Sequence, residues 1–176
     1  MGYATAAYRR SAFAAKELAM SIEINNESNM AVDEALILRL ATHVLDRLFI
    51  HPDAELNIVF VDVGPMEELH VQWMNEPGPT DVLSFPMDEL RPGSIERRTP
   101  PGLLGDVVVC PQVAQAQALE HRVTPIDEIL LLVTHGTLHL LGFDHAEPEE
   151  HREMFALQAE LLASFAESER RGGHRR

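Results

Sequence analysis

The chain has a single cysteine and a single tryptophan, and no lysine between Met20 and Ser164. One thiol, Cys110, excludes an intramolecular disulfide and the paired thiolates of a zinc ribbon or an iron–sulfur site. Such cysteine usage suits a reducing cytoplasm, the location expected for this protein. No apolar run approaches the roughly 20 residues that span a bilayer. The greasiest stretch, Ile129 to Val133, meets Thr134 and His135 after five residues, so a membrane-spanning helix is excluded. Positive charge is scarce too. The chain sets 14 basic residues against 28 acids, a net charge of −14. Residues 20–164 hold seven arginines against 25 acids, a net of −18. This surface as a whole repels phosphate backbones. Work on nucleic acid would need a local contact or a partner that delivers the substrate.

At 176 residues the chain is long enough for one domain with a sizeable core. Residues 1–19, with Arg9, Arg10 and Lys16 among alanines and no solid apolar segment, read as an unstructured extension, and Met20 reads as the start of the domain. Ile22 and Ile24 alternate with polar neighbours as a short strand. Ile37, Leu38, Leu40, Ala41, Val44, Leu45 and Leu48 recur at helical spacing until His51-Pro52. Leu56 to Val63 reads as a strand ended by Gly64-Pro65, and Met66 to Met74 as a helix. Strands are expected at 82–85 and 107–110, separated by a Pro/Gly-rich segment that reads as a mobile loop and carries Arg91, Arg97 and Arg98. Helices follow at 113–119, 125–141 and 147–165. Residues 166–176 have little to bury and are expected to be a disordered tail.

The helix that begins at Thr124-Pro125-Ile126-Asp127 is the informative one. Thr124 suits the cap, Pro125 the first helical position, and Asp127 the positive end of the dipole. From Ile129 onward it is apolar on nearly every face, the mark of a helix inside the core. Within it stand His135 and His139, four residues apart, followed by Gly142 and His145. Residues i and i+4 share a helix face with a rise of about 6 Å, a spacing that lets two imidazoles converge on one cation. Gly142 can take the left-handed conformation that swings a third, His145, back towards them. Three neutral nitrogens suit Zn2+ and leave a fourth position for water, which points to hydrolytic chemistry. A structural zinc would need a fourth protein ligand, for which Asp144, His151 and Cys110 are the nearest candidates. The spacing is that of the metzincin proteases, but Gly136 stands where those enzymes carry their catalytic glutamate.

The whole segment His135 to His145, H-G-T-L-H-L-L-G-F-D-H, resembles the signature of the YbeY family of bacterial endoribonucleases, in an actinobacterial-like form. Pro79 to Pro86 (P-T-D-V-L-S-F-P) and Leu104-Gly105-Asp106 match two further segments of that family in order and spacing. The resemblance covers about residues 20–165. It implies a single zincin-like α+β domain, with a small mixed β-sheet packed by helices and a buried central helix carrying the metal site. It further implies a single-strand-specific, metal-dependent endoribonuclease acting in 16S rRNA 3′-end maturation and ribosome quality control. His135, His139 and His145 would hold one Zn2+. The implied partners are the 16S rRNA precursor, the small ribosomal subunit and its proteins, and an Era-type GTPase. Direct hydrolysis would leave linear phosphate ends, and attack by a ribose 2′-hydroxyl would first leave a cyclic phosphate. The rival readings are a zinc hydrolase of peptides or small molecules, and a non-catalytic ribosome-assembly factor with a closed structural zinc.

Other residues carry open alternatives. In better-known members of that family an arginine precedes the P-T-D segment, and the aligned position here is Met74. Arg91, Arg97 and Arg98 are candidates to supply the missing charge towards RNA. Asp144 could accept a hydrogen bond behind a ligand or shuttle a proton. Asp81 suits a turn or the orientation of a ligating histidine. Asp106 is expected to open its strand, and Trp73, with Leu69 and Met66 at helical spacing, to face the core.

Overall fold

A computed structural model describes residues 22–173; the expected extension at 1–19 lies outside the described residues. The elements in order are β1 (Ile22–Asn26), α1 (Glu34–Arg47), β2 (Glu55–Phe60), α2 (Val63–Met74), β3 (Val82–Pro86), β4 (Leu103–Val109), α3 (Pro111–His121), α4 (Pro125–Leu140) and α5 (Pro148–Gly173). The strands form one mixed sheet in the order β1-β2-β4-β3. β1 and β4 flank β2 in parallel, and β3 closes the sheet antiparallel to β4. The fold is α+β, as the resemblance implies.

Alternation decides which side of each strand meets the helices. In β2, Leu56, Ile58 and Phe60 are buried and join Val107 and Val109 of β4 in the main core, with residues of α1, α4 and α5. The opposite face holds a smaller cluster of Val61, Met66, Leu83, Val108 and Cys110, against which Leu69, Phe85 and Val113 pack. α4 therefore lies against one sheet face with Ile129, Leu132, Val133, Leu138 and Leu140 buried around its circumference, which its all-round apolar sequence requires. Thr124 caps it by accepting the Asp127 N–H at 3.2 Å.

Several sequence expectations shift. β2 stops at Phe60, and Val63, Gly64 and Pro65 form the first turn of α2. Proline is tolerated there because the first helical N–H groups have no intrahelical acceptor. β4 begins at Leu103, so Asp106 sits in mid-strand rather than at its start. Gly105 accounts for that extension: its φ of +132° accompanies a register shift beside Glu55/Leu56, and a side chain there would collide with the Phe85 carbonyl. The segment between β3 and β4, expected to be a mobile loop, is fastened to the α1 end. The Gly93 N–H donates to Leu48 O at 3.0 Å and the Thr99 N–H to Phe49 O at 3.0 Å, while buried Thr99 accepts the His51 N–H at 2.9 Å. α5 runs on to Gly173, so residues 166–173 of the expected tail are helical, and Glu169 pairs with Arg39 of α1 at 3.0 Å.

Candidate metal centre

His135 and His139 project from one face of the last turns of α4. The helix ends at Leu140 with Leu141 as its cap, and Gly142 takes φ +88°, with its N–H bonded to His139 O at 3.0 Å and the Phe143 N–H to Leu138 O at 3.1 Å. That left-handed turn returns His145 to the helix end. Its ring centroid lies 5.4 Å from that of His135 and 5.1 Å from that of His139. One ligand atom from each of the three lies within 4.8 Å of the others, and this is the one such His/Cys/Asp/Glu group among the described residues. Asp144, His151 and Cys110 do not belong to it. His151 instead stacks on Phe155 at 4.2 Å, and buried Cys110 bonds to Gln112 across the sheet from α4. Among the described residues no fourth ligand joins the trio.

The hydrogen bonds behind the rings fix what the front can do. His135 Nδ1 faces Gln158 Oε1 at 2.9 Å, and His139 Nδ1 faces Phe143 O at 2.9 Å. Both acceptors are oxygens, so both rings carry their proton on Nδ1, and both Nε2 atoms hold lone pairs. Those two Nε2 atoms lie 3.1 Å apart. Two lone pairs at that distance repel unless a cation lies between them. Ligand nitrogens about 2.05 Å from a tetrahedral zinc stand about 3.3 Å apart, so the donor set fits that ion. Burial is the largest cause holding both imidazoles below their ordinary pKa. For His135 the neighbouring His145 adds to this while Gln158 and Asp81 oppose; for His139 the His135 and His145 rings add to it while the Phe143 carbonyl and Asp144 oppose. Both rings are therefore neutral at pH 7, as a metal ligand must be.

The remaining sequence candidates divide. Asp144 is exposed and accepts the His145 N–H at 2.7 Å, shaping the turn behind the third histidine. Asp81 accepts from the Val82 N–H at 2.7 Å, from Thr80 at 3.2 Å and from Gln117 at 3.1 Å, so turn chemistry holds it and Gln158 takes the orienting role. Arg91 lies over Gly142. Arg98 is bound on the α1 side, to Asp46 at 2.7 Å and Ile50 O at 3.0 Å, over the Phe49 ring. Arg97 is exposed in the turn it makes with Ser94. Arg91 and Arg98 therefore have different neighbours. Trp73 does not enter the core: it is 51% exposed and edge-on to Phe85, beside exposed Met74.

Gly136 explains the missing glutamate. A Cβ there would lie 2.7 Å from Val107 Cγ1 and 3.1 Å from Ser84 Oγ and Val82 Cγ2, and Ser84 donates to its carbonyl at 2.8 Å. The position faces the sheet, where no side chain fits without displacing Val107. Sequence reasoning missed Gln158. Its signal was a lone amide within the buried stripe Met154, Gln158, Leu161 and Phe165 of α5.

A family model described as Endoribonuclease YbeY matches residues 22–166. A protein named Endoribonuclease YbeY from Clavibacter sepedonicus is 70% identical over 151 residues, covering 86% of this chain and 99% of its own length. A relative of the same name from Thermobifida fusca is 62% identical over 149 residues, covering 85% and 96%. Among solved structures, the solution structure of TM1509 from Thermotoga maritima matches with a TM-score of 0.58 and 27% identity, over 86% of this chain and 93% of that one.

Proposed function

Since the chain belongs to the YbeY endoribonuclease family, we propose that it cuts single-stranded RNA as a zinc-dependent endoribonuclease, with His135, His139 and His145 as the metal ligands. The observation that carries this is the pair of converging Nε2 lone pairs, locked in place by Gln158 and the Phe143 carbonyl. When bound, zinc supplies a Lewis acid for a phosphoryl oxygen and an acidified water. The protein's own part is to hold three imidazoles neutral, to fix their tautomers from behind, and to leave their front open on the exposed side of His145. Asp144 sets the turn that places His145. Phe155, whose ring lies 5.8 Å from His135 and 6.1 Å from His145, forms an apolar wall beside the trio.

The substrate is the 3′ precursor of 16S rRNA, in maturation and ribosome quality control in the cytoplasm. The small ribosomal subunit and its proteins, together with an Era-type GTPase, are the partners that present it. The net charge of −14 supports delivery by a partner over capture of free RNA. Peptide hydrolysis is disfavoured because the general base of the similarly spaced proteases has no counterpart at Gly136. The test is cleavage of a labelled single-stranded RNA carrying the 16S 3′ precursor sequence by wild type and His139→Ala purified in parallel. Cutting by wild type alone is expected, and the end groups then report the route. Equal cutting by both defeats the reading, as does cutting by neither when the precursor is also presented on the small ribosomal subunit and wild type retains zinc.

A further inference from the structure

We infer that Arg91 is the residue that grips a substrate phosphate beside the histidine trio, an inference that rests on the endoribonuclease reading above. Its guanidinium is laid against Gly142: a Cβ built there would come within 2.5 Å of Nη1 and 2.6 Å of Nε, and Gly142 is the turn between His139 and His145. Glycine at that point permits both the left-handed backbone and the approach of the arginine. The side chain is exposed, and its hydrogen bond is a long one of 3.3 Å to the neighbouring Leu90 O. Among the described residues no carboxylate pairs with it, in a chain where acids outnumber bases two to one. Arg39, Arg47, Arg98, Arg152 and Arg171 all pair with acids.

The backbone that presents Arg91 is held on both sides. Before it, the Asp88 N–H donates to Leu103 O at 2.8 Å and the Asp88 carboxylate accepts the Leu103 N–H at 2.8 Å. After it, the Gly93 N–H reaches Leu48 O at 3.0 Å. A planar fork with unsatisfied donors, carried on held backbone beside the histidine trio, suits a phosphodiester oxygen, since guanidinium pairs with phosphate bidentately. Preorganisation lowers the entropy lost when that contact forms. Arg98 is spent on Asp46, Ile50 O and Phe49, and of these three loop arginines Arg91 is the one laid against Gly142, so the role falls to Arg91.

The experiment measures binding of a short fluorescent single-stranded RNA across a salt series by the metal-stripped full chain, and KM, kcat and zinc content for the zinc-loaded chain. The variants are Arg91→Met, Arg91→Lys and Arg97→Met; methionine keeps an apolar stem over Gly142. Arg91→Met is expected to weaken RNA binding and raise KM about ten- to a hundredfold, as loss of a charged hydrogen bond does. The slope of log affinity against log salt should fall by about 0.7. Zinc content stays at the wild-type level, Arg91→Lys recovers part of the loss, and Arg97→Met matches wild type. The inference is overturned alone if Arg91→Met matches Arg97→Met while wild type binds and cuts RNA, or if Arg91→Met loses zinc. A wild type that neither binds nor cuts RNA, free or presented on the small ribosomal subunit, overturns both this inference and the reading beneath it.

Discussion

Replacing Gln158 by leucine should separate metal affinity from stability. Gln158 is 5% exposed and its Oε1 takes the His135 Nδ1 proton at 2.9 Å. In Gln158→Leu that N–H loses its acceptor in a half-buried place, at about 1 to 3 kcal/mol. The ring escapes by rotating or by moving its proton to Nε2, and either change removes a lone pair from the point where His139 Nε2 converges. Zinc affinity should fall about 10- to 100-fold, the usual effect of losing a ligand's supporting hydrogen bond, which is about 1.4 to 2.7 kcal/mol. The metal-free protein should hold its melting temperature or gain, because leucine continues the buried stripe of Met154, Leu161 and Phe165. Gln158→Glu restores an acceptor and should bind zinc at least as tightly as wild type. Competition with a chromophoric chelator at pH 7.5 measures the affinity, with exposed Gln115→Leu as control. A Gln158→Leu affinity within twofold of wild type would show that this bond does not set the tautomer.

Three further outcomes are expected. Gly136→Ala gains about 1 kcal/mol of helix propensity but drives a methyl to 2.7 Å from Val107, itself fully buried. Overpacking costs about 1 to 3 kcal/mol, so urea denaturation should show a net loss of roughly 0 to 2 kcal/mol of stability, and a more stable variant would contradict the packing account. Thr99→Val strips the acceptor from the His51 N–H and should cost about 1 to 2 kcal/mol, read by the same denaturation. The metal-free protein should lose stability on acidification, because burial holds His43, His135 and His139 below their ordinary values. The unfolded imidazoles take up protons as pH falls through about 6.5 while the folded ones resist, so this contribution is present above that pH and lost below it. His121, raised by its bond to Glu128, acts oppositely, adding stability below about 6.5 that is lost as pH rises through its folded value. A His135→Asn/His139→Asn double variant should flatten the acid-side loss; an unchanged midpoint ratio between pH 5.5 and 7.5 would count against the burial argument.

What was legible in the sequence was what local chemistry controls. Thr124, Pro125 and the apolar run to Leu141 define α4 by capping and burial, and the i, i+4 spacing with Gly142 brings the three histidines together through one helix and one turn. What was illegible depends on distant partners. Proline and glycine between β3 and β4 read as mobility, yet that segment is held by carbonyls of Leu48 and Phe49, some 45 residues back in the chain. Trp73 follows helical spacing from Met66, but Met66 is the one buried residue of α2, so the periodicity overstated how much of that helix the sheet covers. Gln158 reaches His135 from another helix, and spacing within α5 could flag it as unusual without saying what it meets.

The close sequence spacing of the three histidines, all within 135–145, also bears on the unfolded chain. Closing loops of so few residues costs little entropy, so the denatured protein retains much of its capacity to chelate a metal through these side chains. A ligand that binds both states stabilises the fold only by the difference between them. Zinc should therefore raise the melting temperature by less than its affinity for the native protein implies. The surplus that remains measures what Gln158, the Phe143 carbonyl and the Gly142 turn add by holding the rings in place before any ion arrives.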